Sequence, residues 1–266
     1  MTIRRTMIWL FIYLSLLLTV FLLQRKMLYF PVRFSEAQQA RLADAAYLKA
    51  WPSENDPRGL IGKTEIKNAR GTILVFHGNA GAAVHRGYFV EGLQNLGYRV
   101  VLAEYPGYGA RLGAPSETRL IEDGIASAEL AVREFGEPLF LCGESLGTGI
   151  VAGIVDSGKL RPKGVLLITP FDTLTKVAHH HYWFLLARWL LQDRYDNVSR
   201  LKNYRGTVAM LVAADDEIIP NERSFALYDQ LQGRKKRWVF ENAGHNSLPL
   251  DANQAWWHEV MLFLEL

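Results

Sequence analysis

Between residues 71 and 245 the chain repeats one pattern, a short apolar run of strand-forming residues followed by a stretch long enough for a helix. The runs are "GTILVFHG" (71–78), "RVVLAEYP" (99–106), "PLFLCGES" (138–145), "KGVLLITP" (163–170), "TVAMLVAADD" (207–216) and "KRWVFENAGH" (236–245). They are continuously apolar rather than alternating, so each strand is buried on both faces, which demands a mostly parallel sheet with helices on both sides. Helix-like segments lie at 82–96, 116–135, 145–157, 221–232 and from about residue 251, and 35–49 has helical spacing without a chemical signal. The fold class is α/β. In such a sheet, loops that carry chemistry lie at the carboxyl ends of the strands.

Residues 6–23, "TMIWLFIYLSLLLTVFLL", hold no charge and are flanked by Arg4, Arg5, Arg25 and Lys26. Eighteen residues at about 1.5 Å each span about 27 Å, close to the roughly 30 Å of a bilayer's hydrocarbon layer. One uncleaved membrane anchor is the expectation. A cleaved secretion signal, which would end in small residues rather than Leu22-Leu23-Gln24-Arg25, and a buried helix are the competing readings. Basic residues flank both ends, so charge asymmetry does not set the orientation. The expected organisation is an anchor over residues 1–26 and one catalytic-size domain over 27–266, and no internal repeat or second-domain linker is visible. The net charge of +3 is spread along the chain and gives no sign of a nucleic-acid partner. The basic run Arg234-Lys235-Lys236-Arg237 reads as a solvated turn. Cys142, the only cysteine, lies in an apolar run and reads as a buried, inert thiol. His179, His180 and His181 are adjacent, and consecutive helical residues point in different directions, so no metal is expected there. "GYGARLG" and "GESLGTG" each miss a residue that a nucleotide-binding loop needs, and no cofactor is expected.

The run at 138–145 ends in Gly143-Glu144-Ser145-Leu146-Gly147 and continues as a helix. The chain must turn sharply at Ser145, and the two glycines remove side chains that would clash there. The hydroxyl is pushed out at the strand's end, and the Leu146 amide at the new helix N-terminus can face an oxyanion. The alternative for Ser145 is a plain helix N-cap. A serine hydroxyl needs a base oriented by an acid. His245 follows the run at 236–241, acids follow the run at 207–214 in "ADDEIIP", and the order Ser, acid, His is that of a nucleophile-elbow hydrolase. The loop "VFHGNAG" can offer the Asn79 backbone N–H as a second oxyanion donor, with His77 as a structural hydrogen bonder beneath it.

The segments "FHGNAG", "EYPGYGARLGAPSE", "GESLG", "DDEIIP" and "AGHN" resemble the α/β-hydrolase superfamily, and within it the membrane-anchored serine hydrolases that include protein depalmitoylases and their bacterial relatives. The resemblance runs from about Met27 to the last helix. It implies the α/β-hydrolase fold, a nucleophile at Ser145, a base at His245, an acid at Asp216, and an oxyanion hole at Asn79 and Leu146. Asp215 and Asp172 are rival acids. Departures are Glu104 where relatives commonly carry Asp, Arg111 where a small Ser is usual, and Ala213 where Gly often stands; Arg111 is expected near the pocket mouth.

Residues 171–204 form the longest insertion between strands, and the apolar "HHHYWFLLARWLLQDRY" predicts a small helical cap. Glu144, Trp183 and Trp189 are the candidate pocket residues. Packing of the insertion on the core and a membrane-facing helix are the other readings. The functional expectation is cofactor-free cleavage of carboxylic esters or thioesters in a small molecule, lipid or acylated protein, by a single-pass membrane protein. A peptidase or amidase with the same triad, and a non-catalytic membrane scaffold, are the alternatives.

Overall fold

The computed structural model describes residues 2–266. The chain begins with a long helix α1 (Thr2–Leu28), then a two-residue strand β1 (Phe30–Pro31) and helix α2 (Glu36–Ala45). Strands β2 (Leu48–Trp51), β3 (Gly59–Gly62) and β4 (Thr72–Phe76) follow, then the short β5 (Ala80–Gly81), a 3-10 turn at Ala83–Arg86 and α3 (Gly87–Gln94). Strand–helix alternation continues through β6 (Arg99–Ala103), α4 (Glu117–Phe135), β7 (Leu139–Glu144), α5 (Leu146–Asp156) and β8 (Gly164–Ile168). The insertion after β8 is α6 (Leu174–Tyr182), a 3-10 turn at Trp183–Leu185, α7 (Ala187–Leu190) and α8 (Asn197–Leu201). The chain closes with β9 (Thr207–Ala213), α9 (Asn221–Gln230), β10 (Lys235–Phe240) and α10 (Trp256–Glu265).

Eight strands form one sheet in the order β10-β9-β8-β7-β4-β6-β3-β2. Neighbours are parallel from β10 to β6 and antiparallel for β6–β3 and β3–β2. The strands β4, β8 and β9 are buried at every position and β7 at all but its last residue, Glu144, as continuous apolar runs require when both faces are covered. One face packs on α4, α5, α8 and α9 through Leu120, Ile150, Leu201 and Leu227. The other packs on α2, α3 and α10 through Ala43, Phe89 and Trp257. From β4 the chain crosses to β6 on one side and returns to β7 on the other, so the strand order reverses between β4 and β7. A crevice forms at the carboxyl ends of strands that diverge in this way.

Helix boundaries follow local chemistry. Ser35 and Gln38 form a reciprocal capping box at the start of α2, Ser116 caps α4 through the Arg119 amide, and α4 stops at Gly136, which takes φ +75°. The helix expected over 35–49 ends earlier, at Ala45, because Leu48–Trp51 pairs with β3 at the sheet edge. Helix α1 runs without a break through the apolar tract into Leu28, and it is long and apolar enough to cross a membrane. Nearly all of its apolar side chains face outward, with Leu17 the buried exception.

Candidate active site

Ser145 joins β7 to α5 with φ +51° and ψ −115°, a left-handed backbone that costs strain in a residue other than glycine. The turn is held by the Ser145 amide donating to the Ile168 carbonyl (2.8 Å) and by the Thr148 amide donating back to the Ser145 carbonyl (3.0 Å). A Cβ at Gly147 would run into the carbonyl oxygen of Phe76, and one at Gly143 would lie 2.7 Å from the Gly147 backbone, so the elbow closes only with glycine at both places. Ser145 occupies the N-cap position of α5, yet its hydroxyl makes no capping bond. Its Oγ lies 3.0 Å from His245 Nε2 instead.

His245 sits in the loop after β10, and its Nδ1 lies 2.7 Å from Asp216 Oδ2. The other Asp216 oxygen accepts from the amides of Ile218 (2.9 Å) and Ile219 (2.7 Å), which fixes the carboxylate in the turn after β9. Both side chains are largely shielded from water, 8% exposed for His245 and 2% for Asp216. With Nδ1–H donated to Asp216, Nε2 is the nitrogen left to accept the serine proton. The two rival acids lie elsewhere. Asp172 is fully buried and bonded to the Thr173 amide, Lys176 Nζ (2.8 Å) and Arg223 (3.3 Å), while Asp215 uses its backbone amide to hold the Ala243 carbonyl.

On the opposite side of Ser145 stands the loop after β4. The chain leaving α1 is bonded directly to it: the Phe30 amide donates to the Asn79 carbonyl (2.9 Å), and the Asn79 side-chain amide donates to the Leu28 carbonyl (2.8 Å). Asn79 and Leu146 both border the cavity at Ser145. Beneath this loop the His77 ring lies between the Gly78 carbonyl (2.7 Å) and the Glu104 carboxylate (3.2 Å), which also accepts the Ala83 amide (3.0 Å). Glu104 therefore ties His77, the Ala83 turn and the start of its own loop together beneath the loop after β4.

Ser145 opens into a cavity of about 490 Å³, a size suited to a small-molecule or acyl ligand. Its floor is Leu146 and Phe171; one wall is Leu174, Val177, Leu185 and Leu190 from the insertion; the facing wall is Val20, Phe21, Gln24 and Met27 of α1. The α1 wall is absent from the sequence reading, because nothing local to an apolar tract announces a contact some 160 residues away. The lone amide of Gln24 at the tract's end is the one signal: it donates to the Leu190 carbonyl and accepts the Gln192 amide. Glu217 also borders the cavity and accepts the His245 amide (3.2 Å), another residue the sequence reading passed over.

Four pocket expectations are corrected. Trp183 and Trp189 do not line the cavity; each is 66% exposed on the outer side of the insertion, because α6 and α7 turn their Leu and Val residues inward. Glu144 is held away by Arg86 (2.7 Å) and Tyr88, and Arg111 turns from the mouth to pair with Asp123 (2.6 and 2.7 Å). Cys142 is fully buried in β7, and desolvation pushes its thiol well above the ordinary value, so it is an inert core residue. Among the described residues no cluster of His, Cys, Asp and Glu could hold a metal ion.

The family described as serine aminopeptidase, S33 matches residues 67–201. Uncharacterized protein Rv2307c of Mycobacterium tuberculosis is 33% identical over 177 residues, covering 65% of this chain and 62% of that protein. Lysophosphatidylserine lipase ABHD12 of Danio rerio is 29% identical over 200 residues, covering 65% of this chain and 52% of its own length. The chain thus spans about half to three-fifths of the curated relatives it matches. Among solved structures, TT1662 from Thermus thermophilus superimposes with a TM-score of 0.62 at 26% identity, covering 78% of this chain and 93% of that one. The Paleococcus ferrophilus monoacylglycerol lipase shares the fold at a TM-score of 0.56 and 22% identity, covering 73% and 94%. With an elbow, a mostly parallel sheet and a family match over half the chain, the protein belongs to the α/β-hydrolase family described as serine aminopeptidase, S33.

Proposed function

We propose that this chain is a membrane-anchored serine hydrolase that cleaves carboxylic esters or thioesters with a sizeable acyl group. The observation that carries the reading is the unbroken line from Asp216 through His245 to Ser145, ending at the mouth of an apolar cavity. Ser145 Oγ attacks the acyl carbon as its proton passes to His245 Nε2, and the developing oxyanion is met by the Asn79 and Leu146 amides. His245 then returns the proton to the departing alcohol or thiol. Water, deprotonated by the same imidazole, attacks the acyl-serine and releases the carboxylic acid. Residues 1–26 serve as the anchor, 27–266 as the hydrolase domain and 171–204 as its cap. The lipase names of several relatives support an ester substrate.

A second reading, amide or peptide cleavage, is favoured by the family's description as an aminopeptidase and by Glu217, a carboxylate at the cavity that could hold a free amino group. The mostly apolar lining, with Val20, Phe21, Phe171, Leu174, Val177 and Leu190 in it, favours the ester. Turnover of p-nitrophenyl esters from acetate to palmitate, set against aminoacyl p-nitroanilides, separates the two. Ester hydrolysis that strengthens with chain length and disappears in Ser145→Ala supports the proposal; cleavage of anilides alone contradicts it.

A further inference from the structure

Helix α1 is more than a tether, because the cap lies along it. Its less exposed positions, Tyr13, Leu17, Val20, Gln24 and Leu28, recur every three or four residues and so share one face. Along that face the Tyr13 hydroxyl donates to the Phe184 carbonyl (2.7 Å), and Arg25 makes a two-pronged pair with the buried Asp193 (3.0 and 3.1 Å). The first of these contacts fixes a depth. Tyr13 lies ten residues inside the end of the uncharged tract at Leu23, or about 15 Å along the helix, half of a hydrocarbon layer of about 30 Å. If α1 crosses a bilayer, the segment beside Tyr13 is below its surface.

The chemistry of that segment agrees. Residues 182–191, "YWFLLARWLL", contain one charge, Arg188. Tyr182, Trp183, Phe184 and Trp189 are 46–66% exposed, an aromatic patch that water would penalise and a hydrocarbon layer accepts. At the other end of the contact, the Leu28 carbonyl is bonded to Asn79, so the oxyanion loop sits just beyond the tract, level with the membrane surface. The cavity between these ends has its partly exposed rim at Phe21 and Met27 on α1 and at Tyr182 on the cap.

We propose that the tip of the cap dips into the same leaflet as the second half of α1, and that the acyl chain of a bilayer-resident ester slides sideways from that leaflet, between α1 and the cap, to reach Ser145. The proposal rests on the ester-hydrolase reading for its substrate but not for the immersion of the tip. It makes the bilayer the occupant of the aromatic patch, and it explains why a pocket wall is built from an anchor. A substrate suited to it has its scissile ester at the headgroup level and its acyl chain in the hydrocarbon.

Two measurements on the full chain in phosphatidylcholine vesicles test this. Tryptophan fluorescence is compared in vesicles with and without lipids brominated on the acyl chains, for the wild type and for Trp183→Phe/Trp189→Phe. The wild type is expected to lose a quenchable share that the double variant lacks, above the background from Trp9. Equal quenching of the two proteins overturns the immersion, whether the tip then faces water or a second copy of the chain. In the second arm, Trp183→Glu/Trp189→Glu should slow hydrolysis of a vesicle-borne long-chain monoacyl ester at least about tenfold, because buried charge opposes insertion of the tip. Hydrolysis of p-nitrophenyl acetate in detergent should change less than about twofold, since neither side chain reaches the cavity. An equal fall for both esters, or no fall for either, overturns lateral entry. Absence of any esterase activity in the wild type refutes the ester reading, while the quenching arm still decides the immersion.

Discussion

At the scale of single residues, the site turns on how one carboxylate is held. Asp216 spends one oxygen on two backbone amides and the other on His245 Nδ1, so its place is set by the turn after β9 and not by its own flexibility. Replacing it with Asn keeps the shape but removes the charge that favours an imidazolium, and it can present an N–H where an acceptor is needed. Asp216→Asn should therefore lower kcat by up to about 10⁴-fold with little change in KM, the scale known for the equivalent change in a serine protease. Asp172→Asn should behave in the opposite way. That carboxylate is buried with Lys176 and Arg223, so its loss should cost about 1–3 kcal/mol of stability and leave kcat close to wild type. Thermal melting and steady-state kinetics on one ester check both. A large rate loss at Asp172→Asn with a near-normal Asp216→Asn would move the acid to the earlier strand.

At the scale of elements, the latch between α1 and the insertion is the feature with the clearest mechanical consequence. Asp193 is buried and accepts from Arg25 and from the Tyr29 hydroxyl (3.0 Å), which in turn is within 2.9 Å of the Tyr195 hydroxyl. Burial holds both phenols above their ordinary range, so they remain neutral donors across the working pH. Arg25→Ala leaves a buried carboxylate short of its cation, whereas Asp193→Asn leaves a half-exposed Arg25 that water can solvate. Arg25→Ala is expected to melt at the lower temperature of the two in detergent; the reverse order would show that the pair does not latch the helix. This element pairing also marks what a sequence can and cannot reveal. The central strands were legible because burial on both faces writes them as continuous apolar runs, and the strand-end positions of Ser145, Asp216 and His245 were legible for the same reason. The edge strand β2 and its neighbour β3 were not: "LKAW" and "GLIG" are short, and one of them carries a glycine at each end, so neither announces itself against a turn. Trp183 and Trp189 were misplaced because hydrophobicity does not distinguish a side chain turned to a core from one turned outward.

At the scale of the whole molecule, the sheet that carries Ser145 and the apolar helix α1 meet at one cavity. The helix of α1 should keep the intact chain in the membrane pellet through high-salt and carbonate washes; release by carbonate would mean that α1 lies on the surface or has been removed. We propose that Ser145, strained at the elbow and bonded to His245, is the activated nucleophile. Reaction of the full chain with a fluorophosphonate, followed by mapping of the modified peptide, tests this role. The adduct should fall on Ser145, disappear in Ser145→Ala with the fold unchanged by circular dichroism, and form far more slowly in His245→Ala. An adduct that persists in Ser145→Ala, or a wild-type chain that does not react, would contradict the account.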